Sequence, residues 1–371
     1  MDSNRIFVQY GSGPKEMTKA VLQRAGISES LDRKASYALK PNLVVGKPAE
    51  TGATTTPGIA AGVIEYLIDC GCTRISIMEG SWVGDDTRRA FKTCGYEMLA
   101  RRYGISLVDL KRDRTVTVRA GDMELELCRS AVEADFLINL PVLKGHCQVG
   151  MTCALKNLKG CIPDGEKRRY HTLGLHEPIA RLNTVLRQDL VLVDGIRGDL
   201  TFEEGGTPVP MDMIFLGTDP VLIDSFAAEL MGFDPEKIPY IRLAAELGAG
   251  SMNVREAEIL EAGERAKRNN TAAGDALRRA GEIRRLAALV DERNACSACY
   301  GGLIHALYRM DDPYDVFSEN RKLHIGQGFK NAGGRGIGIG KCTSGFDRSC
   351  PGCPPRASEI RRFLRDLLAV T

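Results

Sequence analysis

The sequence has no apolar run near the ~20 residues needed to span a bilayer, so it offers no candidate membrane helix. Its first residues, Met1-Asp-Ser-Asn-Arg-Ile6, lack the apolar stretch of a secretory leader. Neither sign of charge dominates: 50 Lys and Arg against 48 Asp and Glu leave a net +2, and no general basic surface argues for nucleic acid. Aromatic residues make up 6% of the chain, with one Trp, too few for a base-stacking platform. No Gly-x-Gly-x-x-Gly follows a predicted strand where a nicotinamide or flavin would need it, and no glycine-rich loop ends in Gly-Lys-Ser/Thr. These absences predict a cytoplasmic protein that engages neither membrane nor nucleic acid. In a reducing compartment its 12 cysteines are expected as metal ligands, reactive thiols or small core residues rather than disulfides.

What is present is an alternation of strands and helices. Residues 5–10, 37–45, 74–79, 105–110, 135–140, 190–194 and 211–216 read as strands, and 115–128 as a hairpin around Ala120-Gly-Asp122. Residues 14–26, 57–70, 86–103, 150–160, 178–187, 220–231 and 237–248 read as helices, with Thr56 and Asp219 as N-caps ahead of Pro57 and Pro220. Strand, helix and strand of these lengths make a βαβ unit, so the fold class is α/β with a mostly parallel sheet and flanking helices. The expected organisation is an α/β domain over 1–262, an Arg/Ala/Glu-rich helical linker over 263–293 and a small cysteine-rich metal-binding module over 294–371.

That module carries five cysteines: Cys296-Ser-Ala-Cys299, Cys342, and Cys350-Pro-Gly-Cys353-Pro-Pro. Two thiolates spaced Cys-x2-Cys reach one metal from a single turn, and the distant cysteines close the site by folding back. Five thiols exceed the four that a zinc ion or a four-iron cluster takes. Cys296, Cys299, Cys342 and Cys353 are the favoured set, the choice between Cys350 and Cys353 staying open. A 4Fe–4S cluster is the expected cofactor, with zinc as the alternative. The glycine-rich segment 333–340 lets backbone approach a cluster closely.

A second informative stretch runs from Leu140-Pro-Val-Leu-Lys144-Gly-His146 to Ala154-Leu-Lys156-Asn157-Leu-Lys159-Gly160. Lys144 and His146 follow a strand, where open α/β sheets place their ligand crevice. Lys40 and Asn42 lie at a comparable strand end, as do Glu79 and Ser81. Converging cations suit an anionic small molecule. Lys40, Asn42, Glu79, Ser81, Lys156, Asn157 and Lys159 are therefore candidate binding residues, and Lys144 and His146 candidate catalytic groups. His171 is a further acid–base candidate. Cys147, Cys153 and Cys161 are spaced irregularly and read more readily as core thiols than as a second metal site.

Gly352-Cys-Pro-Pro-Arg356 resembles the cluster loop in the small subunit shared by respiratory complex I and nickel–iron hydrogenases, which implies an iron–sulfur site. The segments Lys40-Pro-Asn42, Thr54-Thr-Thr-Pro57, Glu79-Gly-Ser81, Leu140-Pro-Val-Leu-Lys144-Gly-His146, Ala154-Leu-Lys-Asn-Leu-Lys-Gly160, Val193-Asp-Gly195 and Gly217-Thr-Asp-Pro-Val221 resemble the domain of unknown function 362 family, whose members are often iron–sulfur proteins. The regular CxxCxxC run of many members is replaced here by the looser CxxC…C…CPGCPP tail. The N-terminal layout is also similar to the nickel-pincer lactate racemase family. The expectation is a cytoplasmic iron–sulfur protein, an oxidoreductase with a crevice for an anionic small molecule and a redox partner protein. The alternatives are a non-redox racemase- or lyase-like enzyme with a structural metal module, and an electron carrier without a substrate of its own.

Overall fold

The structure, a computed structural model, describes residues 2–264, 278, 281–314, 316–318 and 321–368. The α/β domain contains β1 (Arg5–Tyr10), β2 (Tyr37–Pro41), β3 (Ile75–Glu79), β4 (Ser106–Asp109), the hairpin β5 (Thr115–Ala120) and β6 (Met123–Cys128), and β7 (Phe136–Leu140). There follow the short pair β8 (Lys144–His146) and β9 (Gly150–Thr152), then β10 (Leu190–Gly198), β11 (Val209–Gly217) and β12 (Glu258–Ala262). Eight of these form one sheet in the order β12-β1-β11-β10-β7-β2-β3-β4. Five of its seven pairings are parallel; β11 runs antiparallel to both its neighbours. The predicted βαβ unit is β2, the helix Pro57–Asp69 and β3, with Leu39 paired to Ile77.

The sheet separates two apolar layers. On one face the helices Pro14–Arg24 and Pro57–Asp69 bury Val21, Leu22, Ile59, Val63 and Ile64 against Leu39, Ile77 and Ile138. On the other, the helices His176–Val185 and Pro220–Leu230 pack Ile179, Leu182, Leu222 and Ala227 with Leu137, Val191 and Phe215. The strands read as nearly continuous apolar runs because both faces are covered.

Two expected helices differ. Residues 150–160 begin as a strand: Gly150–Thr152 pairs with Lys144–His146, and helix is confined to Ala154–Asn157 before a tighter turn over Leu158–Cys161. Residues 86–103 divide into Thr87–Thr93 and Tyr96–Tyr103, because Gly95 takes φ +81, a conformation that ends one helix and starts another. The helix Asp164–Leu173 carries too polar a sequence to have been expected.

Of the expected linker, 265–277 and 279–280 lie outside the described residues, and 281–287 is helical. The C-terminal module is a parallel sheet in sequential order, β13 (Val290–Glu292), β14 (Leu323–Ile325), β15 (Gly333–Ile339) and β16 (Gly345–Cys350). Its last two links, 326–332 and 340–344, are too short for a helical crossover, so the chain coils from strand to strand. The helices Ser297–Tyr308 and Ala357–Leu368 cover it, burying Leu303, Leu307, Ile360 and Leu364 with Leu323 and Ile339. No helix among the described residues is long and apolar enough to cross a membrane.

Candidate functional site

The C-terminal ends of β2 and β3 deliver Lys40 and Glu79 to one buried point. Lys40 Nζ lies 2.9 Å from Glu79 Oε2 and 2.7 Å from the carbonyl of Pro41. The same carboxylate accepts from the amides of Leu43 and Gly80, both at 2.7 Å. A buried pair persists only when its remaining valences are met, and these four contacts meet them. Gly160 closes over the pair: a Cβ there would stand 2.2 Å from Glu79 Oε1 and 2.5 Å from Lys40 Cε. Behind it runs a chain of amides. Asn42 Nδ2 donates to Asn157 Oδ1 at 2.8 Å, Asn157 Nδ2 to Asn139 Oδ1 at 2.7 Å, and Asn139 Nδ2 to Gln188 Oε1 at 2.6 Å.

A second buried carboxylate, Glu203, comes from the loop after β10. Lys156 Nζ donates to its Oε1 at 2.5 Å, and His146 Nε2 stands 3.1 Å from its Oε2. Burial pushes the Glu203 carboxyl up, but Lys156, His146 and Lys144 outweigh it and hold the group well below the usual carboxylate range. His146 Nδ1 accepts from the amides of Gln148 and Val149 at 3.1 and 3.3 Å, so the neutral ring carries its proton on Nε2, facing Glu203. Burial, with Lys156 close by, lowers its pKa to about 4. Lys144 donates to Asn42 Oδ1, to the carbonyl of Ala53 and to that of Glu203, at 2.9, 2.6 and 2.9 Å. Burial pushes it down to about 7.

In front of these two pairs opens a small cleft of about 70 Å³. Lys40, Asn42, Glu79, Lys156, Asn157 and Lys159 line it, so most of the expected binding residues are brought together. Ser81 is buried beside it, its hydroxyl bonded to the carbonyl of Leu43 at 2.7 Å. Lys144 and His146 do not line it; they brace Asn42 and Glu203 from behind. Thr152, Lys167, His171, Glu203, Trp82 and Ser297 also line the cleft. Of these only His171 had a signal in the sequence. Lys167 lies on the unexpected polar helix, where its ammonium bonds the carbonyls of Gly80 and Ser81, both at 2.9 Å. Glu203 sits in a loop whose partners are remote in sequence.

Lys40 and Lys156 are matched by carboxylates, but Lys159 has no carboxylate partner among the described residues. Its nearest polar neighbour is His171 Nε2 at 3.5 Å, and burial pushes its ammonium down to about 7. His171 Nε2 also accepts from the amide of Ser297 at 3.3 Å, while its Nδ1 is buried without a partner. Burial and the neighbouring Lys159 keep its ring neutral. The uncompensated amine of Lys159, with His171 and Thr152, thus lines a cleft that Val44, Trp82 and Val83 also line. That arrangement favours an anion with hydrogen-bonding oxygens.

Behind Cys296 lies a second cavity, in the C-terminal module. Cys296, Cys299, Cys342 and Cys353 line it together. Cys350 does not: it is buried in the module core at the end of β16, and its carbonyl accepts from Gly340 at 2.8 Å. Burial pushes the thiols of Cys296, Cys299 and Cys342 up. Among the described residues no three His, Cys, Asp or Glu side chains are gathered tightly enough to hold a single metal ion. Cys147 is half-buried, and Cys153 and Cys161 lie in the main core.

Residues 38–229, just over half of the chain, match a family described as the domain of unknown function DUF362. A thylakoid-associated protein of Synechocystis is 28% identical over 232 residues, which cover 60% of this chain and 70% of that protein. The lactate racemase apoprotein of Thermoanaerobacterium thermosaccharolyticum is similar at 13% identity and a TM-score of 0.38, over 62% of this chain and 58% of that one. A Thermotoga maritima protein is similar at 16% and 0.38, over 63% and 60%. The chain thus spans less than two thirds of either solved structure, and likenesses of this size carry no argument about function.

Proposed function

Because the chain belongs to the DUF362 family, whose name fixes no chemistry, we propose a function from the site itself: an iron–sulfur protein that exchanges electrons with an anionic small molecule. One observation carries this reading. Cys296 lines both the lysine cleft and the four-cysteine cavity, so a group held by the thiols would stand against whatever the cleft binds.

The chemistry of the donor set supports a cluster. Among the described residues four thiols and no carboxylate line the cavity, and four-iron clusters take four cysteine thiolates. Cys296, Cys299, Cys342 and Cys353 would hold it. The raised pKa values of Cys296, Cys299 and Cys342 mean that binding would displace protons from those thiols. A bound cluster would supply one-electron transfer beside the cleft. The protein's own residues do the rest. Lys159 offers a positive charge that no carboxylate among the described residues neutralises, Thr152 and His171 line the cleft beside it, and Trp82, Val44 and Val83 limit water. Glu203, held between Lys156 and His146, fixes the position of Lys156 at the cleft wall. Twelve free cysteines suit the reducing cytoplasm as its location.

The test is anaerobic purification with iron and sulfide analysis of three forms. The wild type and Cys350→Ser should hold about four irons per chain. Cys353→Ser should lose most of them. A colourless wild type holding one zinc would end the proposal, as would equal iron in the Cys353→Ser form.

A further inference from the structure

The four-cysteine cavity has two unlike sides. Its inner side meets the cleft through Cys296, which is half-buried. Its outer side reaches the surface. Cys353 is exposed, as are Ser344, Gly345 and Gly352 beside it. Among the described residues three cations line this cavity, Arg168, Lys330 and Lys341, and no carboxylate does. Lys330 and Lys341 are exposed, and none of the three is ion-paired among the described residues. The Lys330 ammonium bonds Gln327 Oε1 at 3.3 Å. The whole chain is nearly neutral, at +2, so an unbalanced cluster of three is a local field rather than a reflection of overall charge.

We propose that this outer rim docks an acidic electron-carrier protein. The proposal rests on the cluster reading above and adds a direction to it. Electrons would enter at the Cys353 side, which is exposed, and would leave for the cleft at the Cys296 side. The small residues at the mouth, Ser344, Gly345 and Gly352, let a partner surface approach without displacing side chains. Lys330 and Lys341 then steer and orient it by charge, an effect that added salt screens. A cluster held by Cys296, Cys299, Cys342 and Cys353 would accept one electron from the reduced carrier, which would itself be oxidised by one electron. No proton or bond change is required of the protein.

The test uses anaerobically purified full-length protein and an immobilised plant-type ferredoxin as the acidic probe. Binding is measured between about 20 and about 500 mM salt, for wild type and Lys330→Glu/Lys341→Glu. Wild-type affinity should fall roughly tenfold or more across that range, and the double variant should bind roughly tenfold more weakly at low salt. A thermal melt matched to wild type shows that the variant is folded. Absent binding at low salt, salt-independent binding, or equal binding by the variant would each overturn the docking surface. Iron analysis on the same samples separates the two readings. Iron-loaded protein that ignores ferredoxin refutes only the surface, and iron-free protein that binds it in a salt-dependent way refutes only the cluster.

Discussion

Gly160 ends the Ala154-Leu-Lys-Asn-Leu-Lys-Gly160 stretch at a place where no side chain fits, because the Lys40–Glu79 pair occupies the space a Cβ would need. Gly160→Ala should therefore part that pair rather than merely stiffen the loop. Leaving a buried charge uncompensated costs about 3 kcal/mol, so the variant should show that loss in a denaturant melt, together with a weakened anion site. His146 gives a prediction in pH. Its pKa is about 4 in the folded protein against 6.5 ordinarily, so the unfolded chain binds a proton first. Its share of stability is complete above pH 6.5 and is lost as pH falls toward 4, amounting to roughly 3 kcal/mol. The charged groups that act on it are Glu203, Lys156 and Lys159. In His146→Gln the pH dependence of the melting midpoint between 6.5 and 4 should be visibly flatter. An unchanged slope would mean that other groups set the acid limit.

Among the elements, the helix Pro220–Leu230 is the clearest case of local chemistry fixing a boundary. Asp219 Oδ1 accepts from the amides of Val221 and Leu222, both at 2.9 Å, and Oδ2 from Ser251 at 2.8 Å. Asp219→Ala should cost about 1–2 kcal/mol in a urea melt and leave the anion cleft intact. This cap was legible in the sequence because the Asp-Pro pair needs no distant partner. Lys40 and Glu79 were legible for a related reason: each ends a strand of one βαβ unit, so the topology brings them together. The strand Gly150–Thr152 was not. Met151, Leu155 and Leu158 repeat at the spacing of a buried helix face, and pairing with Lys144–His146 overrides that pattern only in three dimensions. Glu203 was illegible for the same kind of reason, since its partners Lys156 and His146 lie 47 and 57 positions earlier, in elements that fold back onto its loop. The set Cys296, Cys299, Cys342 and Cys353 is the favoured one of the sequence, and they share a cavity because β14 to β16 coil back on the helix Ser297–Tyr308.

At the scale of the molecule, the module is seated so that the start of its first helix closes the cleft of the α/β domain. Ser297 bonds His171 and Gln148, Gln148 bonds the carbonyl of Ala295, and Gln327 reaches the carbonyl of Arg168. The chain's one tryptophan, Trp82, lines that cleft and can report on its contents. Titration with a small dicarboxylate such as malonate should change its fluorescence, and Lys159→Gln should weaken that response by roughly tenfold, the loss of one charge-assisted contact. An identical titration curve in the variant would place the anion elsewhere. The sheet carries a different consequence, for synthesis. β1 is enclosed by β11 and β12, whose residues 209–217 and 258–262 follow it by about two hundred positions or more. As the chain leaves the ribosome, β2, β3, β4 and β7 can assemble early, while the N-terminal strand waits with both edges bare. Nascent chains ending short of residue 209 therefore expose Ile6, Phe7 and Val8, a place for a chaperone to hold and for a stalled chain to aggregate.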